Sequence, residues 1–189
     1  MRMFVAVEID EEVRTAVART IGELRSGLAD SMRARWVATE NMHLTVRFIG
    51  HVADDRTSAV LDALRSEVPV SAFDLTAGQC GAFPSSGPPR IVWMGIDEGS
   101  APLNALHDEF NRRLLPLGFP PEDRPYTAHL TLARVQDARK RSTAEIRRTI
   151  AAARPPAVRC RVSHATVFES RLSPKGATYH PLLRVPLRL

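Results

Sequence analysis

The sequence predicts an α+β fold built from a duplicated strand–helix–strand unit, its two copies related by an approximate twofold and meeting at a central groove. Two observations carry this reading. The first is a repeated phrase: residues 43–50 read HLTVRFIG and residues 129–135 read HLTLARV. The second is the spacing around it. An apolar strand, FVAVEID at 4–10, begins 39 positions before His43, and IVWMGID at 91–97 begins 38 positions before His129, with a helical pattern between in both cases. The chain has 189 residues, 44% of them hydrophobic and 25% charged, which suffices for one sizeable core shared by two lobes over residues 1–189.

The elements follow in order. MRMFVAVEI reads as a strand rich in apolar and β-branched residues. Asp10 is placed to cap the next helix, with Glu11 and Glu12 in its first turn, and Val13, Val17, Ile21, Leu24 and Leu28 recur at helical spacing. A loop then carries Arg35, Trp36 and Val37 to the first HLT strand, which Gly50 ends. Val60, Leu61, Leu64 and Val68 mark a second helix stopped by Pro69. Residues 71–90 combine a strand with a Gly/Pro/Ser loop, and RIVWMGID is a strand once more. Pro102, Leu103, Leu106, Phe110, Leu114 and Leu115 mark a helix ending near Gly118, ahead of the second HLT strand. A capping box, Ser142 with Glu145, opens a last helix that Pro155 and Pro156 stop. The tail from Val158 to Leu189 reads as two strands.

In a strand alternate side chains share a face, so His43 points with Thr45 and His129 with Thr131, while their leucines point to a core. Two such strands facing one another gather two imidazoles and two hydroxyls around one point. Phosphodiester hydrolysis needs a base for water, an acid for the leaving oxygen and donors for the non-bridging oxygens. Imidazoles titrate near neutrality and suit the first two tasks; threonine hydroxyls suit the third. Such chemistry requires no metal and no cofactor. A strained 2′,3′-cyclic phosphate fits it, because water and the departing sugar oxygen lie in line between the rings. Counting by two from His43 also brings Arg47 to the groove, as a substrate contact or a solvated charge. The same count from His129 sends Arg134 to the opposite face, unless the strand bulges or ends there.

The charge balance, 26 basic against 21 acidic residues for a net +5, favours anionic partners. Nearly all the positive charge is arginine, since Lys140 and Lys175 are the only lysines. Cys80 and Cys160 have no CxxC spacing, so they read as buried free thiols of a reducing cytoplasm, with a disulfide between them as the alternative, rather than as zinc ligands. The first apolar run is too short for a signal peptide, and no stretch is long enough to span a bilayer. The expected location is the cytoplasm, with no membrane partner and a monomeric chain. His51, His107, His164 and His180 lack the motif and read as surface or structural. Phe48, Trp36 and Tyr126 are candidates for base stacking or for core and rim packing. ARKRS at 138–142 with Arg147 and Arg148 reads as an RNA-guiding patch or as a solvated helix face.

Nearly end to end, the chain resembles the 2H phosphoesterase superfamily, specifically the RNA 2′,3′-cyclic phosphodiesterases, historically called 2′-5′ RNA ligases. The resemblance lies in RMFVAVEID, RWVATENMHLTVRFIG, GAFPSSGPPRIVWMGID, AHLTLARV and FESRLSPKGATYHPLLRVPL. It implies two pseudo-symmetric lobes of antiparallel sheet with outer helices and an active-site groove between them, the LigT-like fold. It implies that His43 donates a proton to the 3′-oxygen and that His129 accepts one from water, leaving a 2′-phosphate. Thr45 and Thr131 would bind phosphate oxygens, and the resemblance adds Arg134 to them. The substrate would be RNA ending in a 2′,3′-cyclic phosphate, or a small cyclic nucleotide. Similar sequences often have Pro before the second motif where this chain has Ala128; that alters the entry to the strand and leaves the reacting groups in place. Two other functions remain open at this point: reversible 2′–5′ ligation, and a non-catalytic nucleotide- or RNA-binding module.

Overall fold

The computed structural model describes residues 1–123, 125–138, 143–174 and 176–189. In chain order the strands are β1 (Arg2–Glu8), β2 (Met32–Trp36), β3 (His43–His51), β4 (Val68–Ser71), β5 (Phe73–Phe83), β6 (Ile91–Glu98), β7 (His129–Ala138), β8 (Arg159–Val162), β9 (His164–Ser173) and β10 (Gly176–Arg188). The helices are α1 (Glu11–Gly27), α2 (Thr57–Leu64), α3 (Ser100–Leu114) and α4 (Thr143–Ala152). Asp10 caps α1 as its position suggests, its carboxylate accepting the Val13 N–H at 2.9 Å. The capping-box serine, Ser142, lies outside the described residues, as do 139–141 of the basic run.

Hydrogen-bonded neighbours run β4-β10-β9-β1-β3-β7-β6-β5-β8, with β2 added beside β7. All pairings are antiparallel except β10 with β4. Two half-sheets meet at the centre, where β3 and β7 carry the HLT motifs. Around that centre β1 matches β6, β9 matches β5 and β10 matches β8. The helices cross between halves. α1 leaves β1 yet packs on β8 and α4, and α3 leaves β6 yet packs on β3, β4 and α2. One continuous core, including Val13, Val17, Leu44, Leu64, Leu103, Phe110, Leu130 and Ile146, lies between helices and sheet. Cys80 and Cys160 are buried within it as free thiols.

Three elements differ from the sequence expectation. The segment expected as a loop before the first motif contains β2, a two-residue alternation in which Arg33 and Arg35 are exposed and Met32 is buried. Helix α2 stops at Leu64, and Val68 instead starts β4, a short edge strand that tolerates Pro69. The tail forms three strands rather than two. The break falls at Ser163, where the chain leaves β8, paired to β5, and enters β9, paired to β1 in the other half.

Candidate active site

His43 opens β3 and His129 opens β7. Among the described residues a single ladder pair, Leu44 with Leu130, joins these strands. In antiparallel register this sets His43 opposite Thr131 and Thr45 opposite His129. Both leucines are buried, so the four polar side chains share the other, half-exposed face. Past this pair β3 and β7 part, and β2 takes over beside β7 from Ala133 onward. The parting opens the groove.

Each imidazole is held the same way. His43 Nδ1 lies 2.8 Å from the Asn41 carbonyl, and His129 Nδ1 lies 2.7 Å from the Thr127 carbonyl. A carbonyl only accepts, so each Nδ1 carries a hydrogen and donates it, leaving Nε2 of the neutral ring as the nitrogen with a lone pair. Aromatic rings wall both sides. Phe4 lies 4.9 Å from the His43 ring, with Tyr179 edge-on at 4.9 Å. Phe83 is edge-on to His129 at 5.2 Å, with Trp93 behind it at 6.5 Å. Trp93 lies across Gly81, where a Cβ would overlap the indole. Burial among these rings pushes both histidines below the ordinary imidazole range. The carbonyl bonds oppose that shift, and the Arg134 guanidinium adds to it at both rings.

The two arginines exchange the positions that the alternation count gives them. In β3, Ala6 pairs with Thr45 and Val5 with Arg47, so Val46 is an extra, bulged residue. In β7, Trp93 pairs with Thr131 and Val92 with Ala133, so Leu132 is bulged at the same place in the motif. Each bulge shifts the remaining strand by one face. Arg47 therefore turns away from the groove. It is 3% exposed, donates to the carbonyls of Phe48 and Pro120, and pairs with Glu122 at 3.8 Å. Arg134 turns into the groove, exposed, where its charge reaches both histidines. Phe48 occupies in β3 the position that Arg134 occupies in β7. It is 42% exposed and lies against Phe4 at 5.8 Å.

Tyr126 does not face the groove. Its ring stacks on His107 at 4.5 Å, and its hydroxyl donates to the Thr45 carbonyl at 3.2 Å, tying the approach to β7 onto β3. Trp36 packs against the core. His164 lies 3.4 Å from Glu8, and His51 is exposed. Arg147 donates to the carbonyls of Pro84 and Gly87, fastening the loop after β5. The sequence does not show the aromatic walls, because Phe4, Phe83 and Tyr179 sit on strands that are distant in the chain. Among the described residues no group of three or more His, Cys, Asp or Glu side chains gathers as a metal site. No helix among them is long and apolar enough to cross a membrane.

A family profile described as the 2′-5′ RNA ligase superfamily matches residues 13–173. A relative from Archaeoglobus fulgidus, named RNA 2′,3′-cyclic phosphodiesterase, is 37% identical over 136 residues, 72% of this chain and 73% of that one. Another of the same name, from Methanothermobacter thermautotrophicus, is 32% identical over 184 residues, 95% of each chain. The fold superposes on the crystal structure of Escherichia coli LigT in apo form with a TM-score of 0.74 at 26% identity, covering 100% of this chain and 98% of that one. The duplicated strands, the crossed helices and the end-to-end likeness have one common explanation: the chain belongs to the 2′-5′ RNA ligase superfamily, the 2H phosphoesterases.

Proposed function

We propose that this protein hydrolyses RNA 2′,3′-cyclic phosphate ends to 2′-phosphates. The observation that carries this reading is the pair of imidazoles fixed through Nδ1, each opposite the other strand's threonine across one ladder pair. Water attacks phosphorus and gives its proton to His129 Nε2, while the bond to the 3′-oxygen breaks and that oxygen takes a proton from His43 Nε2. The Thr45 and Thr131 hydroxyls donate to the non-bridging oxygens, and Arg134 adds a cation to the same anion. The donor and acceptor roles follow the family pattern. Phe48 offers an exposed ring to the terminal base. Two relatives that each cover more than two thirds of the chain carry the name of this activity. Both halves of the site come from one chain, in keeping with a monomer acting as a single domain over residues 1–189. Two free cysteines are in keeping with the cytoplasm.

The test is to give chelator-treated protein an RNA ending in a 2′,3′-cyclic phosphate and to identify the product. A 2′-phosphate end is expected. An intact ring with folded protein refutes the reading, and a joined 2′–5′ product reassigns the site to ligation. His43→Ala and His129→Ala are each expected to lower turnover by about 10²–10⁴-fold or more, with the fold retained by circular dichroism. An unchanged rate for either variant removes that histidine from the mechanism.

A further inference from the structure

We infer that Asn41 is a positioning residue that ties His43 to the β9–β10 hairpin and so aims the proton donor; this rests on the reaction proposed above. One residue supplies both ends of the link. The Asn41 carbonyl accepts from His43 Nδ1 at 2.8 Å, and the Asn41 side-chain amide donates to the Ala177 carbonyl of β10 at 3.2 Å. Two positions further along β10, Tyr179 lies edge-on to the His43 ring at 4.9 Å. The contacts close a circuit, from the ring to Asn41, from Asn41 to β10, and from β10 back to the ring.

The local backbone gives Asn41 little other support. It ends a single 3-10 turn, Thr39–Asn41, that buries none of its residues and has no side-chain cap at Ala38. The turn is closed by the Asn41 N–H on the Ala38 carbonyl at 2.9 Å and the Met42 N–H on the Thr39 carbonyl at 3.2 Å. So short a turn is marginal by itself, and an anchor outside it fixes where its last carbonyl points. The hairpin is such an anchor, because β9 pairs with β1, and β1 with the strand that His43 opens. The acceptor side is tied differently. Thr127, whose carbonyl holds His129, follows Tyr126, whose hydroxyl donates to the Thr45 carbonyl. Asn41 thus acts on one histidine and not on the other. Its amide is the chemistry the link needs: the Ala177 carbonyl takes a donor, which neither alanine nor an ionised aspartate supplies.

The experiment sets Asn41→Ala and Asn41→Asp beside wild-type protein on an RNA ending in a 2′,3′-cyclic phosphate. It also follows the two imidazoles by NMR titration, their signals assigned by loss in His43→Ala and His129→Ala. Asn41→Ala is expected to lower kcat by about 10–10²-fold, the scale of a misaimed reacting group, with KM changed less than about twofold. Asn41→Asp is close to asparagine in size and should lose kcat as well, so either variant that folds decides the matter. In a His43→Ala background Asn41→Ala should cost nothing further, because it acts through the missing ring. The bond to the Asn41 carbonyl raises His43 against its burial, so loosening it in Asn41→Ala should move the His43 titration to lower pH. Glu8, opposite His43 on β1, and Arg134 on β7 are the same in that variant, and the His129 titration should stay in place. Wild-type kcat in a folded variant, a further loss in the His43→Ala background, or an unmoved His43 titration overturns the assignment. Failure of the underlying reaction looks different: wild-type protein then opens no ring, while the His43 titration in Asn41→Ala still tests the tie.

Discussion

Each motif imidazole has one nitrogen committed to a backbone carbonyl two residues upstream, so neither ring can turn its other face to the groove. Burial and the Arg134 charge disfavour the imidazolium at both rings. The sign has a direct consequence for rate. In the free enzyme the protonated donor becomes populated only below the ordinary imidazole value of about 6.5, so the kcat/KM bell should lie on the acid side of it. A bound phosphate stabilises the imidazolium, so the kcat profile should lie at higher pH than the kcat/KM profile. Arg134→Gln removes a cation that depresses both groups, and both limbs of its kcat/KM profile should move to higher pH. Limbs that stay in place would mean that Arg134 does not act electrostatically on the pair. Thr45→Val and Thr131→Val each delete one hydroxyl of the face shared with the histidines. Each should cost about 1.5–3 kcal/mol in kcat/KM, the value of a hydrogen bond to a charged group, with little change in thermal stability. A change under twofold would take that threonine out of phosphate binding.

At the scale of elements, the two bulges decide which side chains reach the groove. They sit at Val46 and Leu132, immediately after each motif threonine, and send Phe48 and Arg134 into the groove while Arg47 turns to the core side. Arg47→Met should therefore act on stability. It strands the carbonyls of Phe48 and Pro120, at a cost of about 1–3 kcal/mol. For a chain of this size that lowers Tm by roughly 2–12 °C. Thermal melts and steady-state kinetics on the same sample check this; a normal Tm with a large rise in KM would return Arg47 to the substrate. The bulges also mark the limit of what was legible in the sequence. His43, Thr45, His129 and Thr131 precede the bulges, and simple alternation puts them on one face, as observed. Arg47 and Arg134 follow the bulges, where the count is off by one and nothing in the local sequence marks the extra residue. β2 reads as a loop in the sequence because its alternation spans only five residues and two of them are arginines. The break at Ser163 was hidden for another reason: β8 and β9 read as one continuous run, and only their partners in opposite halves separate them.

For the whole molecule, the crossing of α1 and α3 explains how two separate sequence motifs act as one site. Each helix leaves one half-sheet and packs on the other, so a single buried core runs beneath both histidines. The Tyr126 hydroxyl on the Thr45 carbonyl adds a direct tie between the two motif-bearing segments. Halves joined in this way hold the two imidazoles at a fixed separation, as in-line displacement requires. Whether His43 and His129 act on one phosphate in one step is measured by a double-mutant cycle. Ring-opening rates are measured for wild type, His43→Ala, His129→Ala and the double variant on the same cyclic-phosphate RNA. Groups that work as a unit are strongly non-additive, so the double variant should be about as slow as the slower single one. Losses that multiply would mean that the two histidines act independently, and would rule out concerted action on one phosphate.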